Sequence, residues 1–254
     1  GDRRPVPRGG QVEQGKLDTL THLYEKHISH IRDPKNRFQA EVDLLEIKIW
    51  NNDNWRVFSE NILDNYNNTH TLSAEKSKFV LHKLIANNKN DHAVLLINKL
   101  RLDYNQPSFF SQQLTNIFDR LNQNREAINE CFIFLEHNKK NNFAYTVIYK
   151  KIFIILERYL NDIIIIEDRL PITSKQSVGN AFLAAPYLSI SNQNDLNFII
   201  ETHKKLIDKF SSEDAMIKLA NINYRILIDL DESYKLYEYV LKNSSNLKLG
   251  IEAT

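Results

Sequence analysis

Cysteine, histidine and carboxylate side chains supply most nucleophilic, acid–base and metal chemistry. This sequence spaces them poorly for all three. Cys131 is the only cysteine. A thiol nucleophile needs a base within reach, and the candidates are His92 and His137. His137 lies six residues on, off the same helical face. Within "INECFIFL" the thiol reads as a small buried hydrophobe. His27 and His30 lie three apart, with His22 and Glu25 nearby, but no HExxH pattern accompanies them. A solvated helix face explains them. Glu167 and Asp168, and Asp229 and Asp231, fall at expected helix ends, where carboxylates cap and turn the chain. No catalytic residue, metal site or cofactor is therefore expected.

Composition narrows the classes further. The chain has 254 residues, 42% hydrophobic and 26% charged, which is ordinary for a globular protein. Lys and Arg number 33 against 32 Asp and Glu, a net charge of +1. Phosphate-backbone binding draws on concentrated positive charge, so no nucleic-acid partner is expected. No run of about 18 uncharged apolar residues exists, so no membrane span is expected. A single cysteine fits a reducing, cytoplasmic compartment. Of six glycines, none lies between residues 16 and 178. Tight hairpins and phosphate-cradling loops both rely on glycine, which argues against β-sandwich, P-loop and dinucleotide-binding folds.

The elements that must carry the side chains are helices. Residues 1–11, "GDRRPVPRGGQ", lack periodicity and read as a flexible tail or an appended remnant, with a short basic RNA-binding arm as the alternative. From residue 12 to 254, apolar residues recur at three- and four-residue spacing between short polar breaks. Examples are "LDTLTHLYEKHISHI", "RFQAEVDLLEIKIW", "HAVLLINKLRLDY" and "AINECFIFLEHN". "FAYTVIYKKIFIILERYLNDIIIIEDRL" reads as a buried helix pair. Residues 169–193, with Gly179 and Pro186, are expected to be irregular. Short connections make antiparallel neighbours. The first buried position of each second helix is expected at Val57, Ala93, Ala127 and Ser233, at steps of 36, 34 and 106. A period near 35 in helix pairs is a repeat signature.

"FFSQQLTNIFDRLNQNREAINECFIFLEHN" resembles a tetratricopeptide repeat, through Leu114, Thr115, Phe118, Asn122 and Ala127. "EDAMIKLANINYRILIDLDESYKLYEYVLKNSSN" is similar, through Leu219, Ala220, Ser233, Tyr237, Val240 and Leu241. Asn88 and Asn122 stand where the family has its turn glycine, and both tolerate left-handed geometry. The motif's closing proline is missing from both copies, and residues 142–193 depart from the pattern.

The resemblance implies an all-α solenoid of about six or seven hairpins, each burying its apolar face against its neighbours. It also implies that first helices line a concave face. By position the inward residues would be Lys78, His82, Gln112, Asn116, Arg120, Asn221 and Arg225. The expected role is a protein–protein interaction scaffold that holds a protein or peptide segment, without catalysis of its own. The competing expectation is a helical accessory or oligomerisation domain serving a catalytic domain of the same polypeptide. His82, Phe143 and Val147 break the family's carboxylate-clamp pattern, so capture of a C-terminal carboxylate is not expected.

Overall fold

The computed structural model describes residues 14–68, 74–138, 140, 143–167 and 187–244. Among them are eleven α-helices, one π turn and a two-stranded antiparallel sheet. The chain is all-α in class. None of these helices is long and apolar enough to cross a membrane. Contacts divide the chain into two compact units, one ending at Lys140 and one beginning at Asn141. The tail at 1–11, Gly179 and Pro186 lie outside the described residues, as does most of 169–193.

The first unit holds α1 (Gln14–His30), α2 (Pro34–Asn51), α3 (Trp55–Asn68), α4 (Ala74–Ala86), α5 (Asn90–Asp103), α6 (Ser111–Arg120) and α7 (Asn124–His137). Sequence neighbours pack as hairpins, α1 on α2, α4 on α5 and α6 on α7, and α2 also meets α4. Asp33 starts α2 by accepting the Asn36 amide at 2.8 Å, with Pro34 in the first turn.

Three turns share one device. Asn52, Asn88 and Asn122 take left-handed φ values of 52°, 58° and 56°. In each, the next residue's amide reaches back to a helix carbonyl at 2.9 Å: Asp53 to Lys48, Lys89 to Leu84, and Gln123 to Phe118. Asparagine supplies the left-handed residue in a stretch without glycine, as its short polar side chain allows.

The second helices share a register. Ser59, Ala93 and Ala127 are fully buried and follow one another at 34-residue steps. Val57 does not hold the first of these places, because it is 48% exposed. Here α3 starts three residues after the left-handed Asn52, where α5 and α7 start two after Asn88 and Asn122, and the small buried residue falls at Ser59. Leu45, Leu81, Leu84, Ile97, Leu100, Leu114 and Ile117 fill the core between helices. Cys131 is also fully buried, its sulfur 3.7 Å from Thr115 Oγ1.

The second unit opens with α8 (Phe143–Ile163), a single helix of 21 residues. The expected helix pair is not there. After Ile163 the chain turns extended as β1 (Ile164–Glu167), which pairs antiparallel with β2 (Tyr187–Ile190), Ile164 opposite Ile190. A run of β-branched isoleucines favours the pleated conformation over a continued helix. Then follow α9 (Gln193–Phe210), α10 (Glu213–Ile222), the π turn Asn223–Leu227 and α11 (Leu230–Asn243). Asn192, Ser212 and Asp229 cap α9, α10 and α11 through their side-chain oxygens. Ser233 donates to the Ala220 carbonyl at 3.0 Å and pins α11 to α10. Of the neighbours Val240 and Leu241, the first is fully buried and the second 47% exposed.

Candidate functional site

On α4 and α6 the polar residues follow the core's period. Lys78 and Gln112 lie 34 residues apart, and so do His82 and Asn116. Lys78 and Gln112 are half-buried, whereas His82, Asn116 and Arg120 are exposed. Arg120 Nε donates to the Asn116 carbonyl one turn back, at 3.2 Å. Each position therefore sits at a fixed angle from the buried stripe of its own helix, and none is needed for packing. The neighbouring α2 contributes Asp43 and Glu46, which Lys83 of α4 ties in, directly to Glu46 and at 4.0 Å to Asp43. Trp50 is 58% exposed and donates its indole N–H to Asn87 Oδ1 at 3.0 Å, a second tie between α2 and the end of α4.

A buried ion pair joins consecutive hairpins and escaped sequence reasoning. Arg101 of α5 grips Glu130 of α7 through two nitrogens, at 2.9 and 2.6 Å. Its Nε donates to the Phe109 carbonyl at 2.8 Å, and Nη2 to Ser111 Oγ at 2.9 Å. The side chains are only 12% and 10% exposed. All three guanidinium nitrogens and both carboxylate oxygens are thus hydrogen-bonded, which is what holding charge in a core requires. The two residues lie 29 apart, beyond any local pattern.

Asn221 and Arg225 stand elsewhere, in the second unit. They border a pocket of about 290 Å³ between α8, α9, α10 and the π turn. Its walls are largely apolar, from Phe153, Leu156, Leu160, Ile164, Leu188, Ile222 and Ile226. Asn221 is held in place: its Nδ2 donates to the Ile217 carbonyl at 3.1 Å, and the Tyr237 hydroxyl donates to its Oδ1 at 2.9 Å. Lys218 and Arg225 bring positive charge, and Glu157 the pocket's one carboxylate. The π turn ends at Ile228, whose φ of 57° is rare for a β-branched residue. Such turns and such backbone strain concentrate at functional sites.

His203 of α9 is the pocket's deepest polar residue, at 3% exposure. Its Nδ1 lies 2.8 Å from the Ile199 carbonyl. A carbonyl only accepts, so Nδ1 carries the proton and Nε2 is left as an acceptor. Burial disfavours the charged ring and holds its pKa down at about 4. The bond to Ile199 opposes that shift and the nearby Lys218 adds to it. The signal for this residue was in the sequence, since Leu196, Ile199, His203 and Leu206 recur on one helical face.

Three other histidines are engaged locally. His92 Nε2 meets Ser59 Oγ at 2.9 Å, and its ring stands edge-on to Trp55. Desolvation lowers its pKa. His137 and His30 bond through Nδ1 to the carbonyls of Ile133 and Lys26. Glu25 pairs with Lys48 at 2.9 Å, and Lys48 also reaches Asp53 at 2.9 Å. Among the described residues no three His, Cys, Asp or Glu side chains cluster as metal ligands would. No protein-family model matches the sequence, and no curated protein matches it either.

Proposed function

We propose that the protein is an interaction scaffold, and that its first unit stacks hairpins in the tetratricopeptide manner. The first helices α4 and α6 present Lys78, His82, Gln112, Asn116 and Arg120 to a partner segment. One observation carries the reading. The polar positions on α4 and α6 repeat at the same 34-residue step as the buried Ser59, Ala93 and Ala127. A surface in phase with its own core is presented once per hairpin, at constant spacing, as a repeat protein's binding face requires. These five positions carry two amides, a lysine, an arginine and an imidazole and no carboxylate, which suits an extended segment offering carbonyl and carboxylate oxygens.

Site-specific photocrosslinking tests this in the cell that makes the protein. A photoreactive residue placed at His82 or at Asn116 should trap one common partner. The same residue at Asn98, exposed on the second helix α5, should not. Equal trapping at Asn98, or none at His82 and Asn116, would sink the proposal.

A further inference from the structure

The pocket in the second unit has a chemistry of its own. Its size lies at the lower end for ligand sites, which limits an occupant to about one ring and a short arm. Its most buried polar residue is His203, whose Nε2 is an acceptor; the only hydrogen bond seen to the ring is the one at Nδ1. An occupant that seals this acceptor from water without bringing a donor leaves it unpaired, which is costly, so one bringing an O–H there is favoured. The middle is apolar: Phe153 stands edge-on to His203, with Leu156 and Ile222 alongside. Lys218, Ile222 and Arg225 recur on one helical face, and the two cations are exposed. Among the described lining residues two cations stand against the single carboxylate of Glu157. A buried acceptor, an apolar wall and two exposed cations thus line one pocket.

We propose that this pocket binds a small amphipathic anion, a single ring bearing a hydroxyl at one end and a carboxylate on a short arm at the other. The hydroxyl donates to His203 Nε2, the ring packs on Phe153, Leu156 and Ile222, and the carboxylate meets Arg225 and Lys218. Asn221, held by Tyr237 and the Ile217 carbonyl, orients the carboxylate end. The site is independent of the partner face on α4 and α6.

Ligand-detected NMR and calorimetry on the full chain test the assignment with three probes: 4-hydroxyphenylacetate, phenylacetate and tyramine. 4-Hydroxyphenylacetate should bind, and phenylacetate at least about tenfold more weakly, because it leaves the acceptor unpaired. Tyramine, with its charge reversed, should not bind. Arg225→Ala with Lys218→Ala should abolish binding of both acids. His203→Phe should erase the preference for the hydroxyl, and the comparison of the two acids on the unaltered protein stands even if that variant fails to fold. Equal binding of the two acids would overturn the proposal. So would binding of tyramine as tight as that of 4-hydroxyphenylacetate, or no binding of 4-hydroxyphenylacetate at millimolar concentration.

Discussion

His203 makes the second unit sensitive to mild acid, and the size of the effect follows from its burial. Folding holds the ring neutral, with a pKa near 4 against an ordinary 6.5. The unfolded chain therefore takes up a proton in a range where the folded one does not. Above pH 6.5 both states are neutral at this residue, and its full contribution to stability is present. As pH falls below 6.5 the unfolded state gains the proton alone, and stability drops until the folded ring titrates near 4. For a single group with these two values the loss between pH 7 and pH 5 is about 2 kcal/mol. Lys218 lowers the folded value further, while the Nδ1 bond to Ile199 raises it without outweighing burial.

The perturbation that isolates the effect is His203→Gln, which removes the titration. Urea unfolding would be followed by far-UV circular dichroism at pH 7, 6 and 5 for both proteins. Substitution also changes packing, so the quantity that matters is the difference in pH slope. The unaltered protein should lose about 2 kcal/mol more than the variant over that range. The other histidines cancel in that difference, since both proteins share them. Trp50 and Trp55 are the only tryptophans and both lie in the first unit, so their fluorescence is an internal control. It should report a midpoint with the same pH dependence in both proteins. Identical slopes by circular dichroism would refute the reasoning, because His203 would then be charged in the fold or uncharged without cost.

Two further predictions concern the first unit. Arg101→Ala leaves Glu130 as an unpaired buried carboxylate and should cost about 3–5 kcal/mol, read from tryptophan fluorescence in urea. A loss below 1 kcal/mol would mean that water reaches the pair. Asn122→Ala forces a Cβ without a compensating polar group into the left-handed turn and should cost about 1–2 kcal/mol, whereas Asn122→Gly should be close to neutral. Thermal midpoints of the two variants check this, and equal losses would show that the asparagine side chain acts through its contacts and not its backbone.

The helices of the first unit were legible because each has an unbroken three-four spacing and a polar break. The turn geometry was legible too, since a long stretch without glycine leaves asparagine as the best left-handed residue, and Asn88 and Asn122 stand there. Other features were hidden for physical reasons. Arg101 and Glu130 meet only when α5 and α7 are brought together, and neither residue is unusual in its own helix. The strand after α8 was written in the β-branched run Ile163–Ile166, but its partner β2 begins 20 residues beyond the end of β1. An antiparallel strand so far off has no local signature. Asn221 and Arg225 were singled out for a groove face, and the walls they share with α8 and α9 are set by tertiary packing alone.

The misplaced Val57 shows how the repeat tolerates variation. The turn asparagines Asn52, Asn88 and Asn122 step by 36 and then 34, while the buried residues Ser59, Ala93 and Ala127 step by 34 throughout. From each buried residue to the next turn asparagine the distance is 29 residues in both cases. The whole irregularity is therefore two extra residues between Asn52 and Ser59. One falls in the turn before Trp55, where backbone amides and carbonyls reach solvent, and the other in the first turn of α3. In this turn Asp53 binds Lys48, which in turn reaches Glu25 of α1. Lys48 is itself buried. Desolvation pulls its pKa down, yet the bonds and charges of Asp53 and Glu25 outweigh it and the net shift is upward. The ammonium thus stays charged, and α1 and α2 are tied by charge as α5 and α7 are tied by Arg101. Counting along the sequence follows whichever feature is visible, here the asparagine turns. The register that governs packing is carried by the small buried residues one helix turn further on.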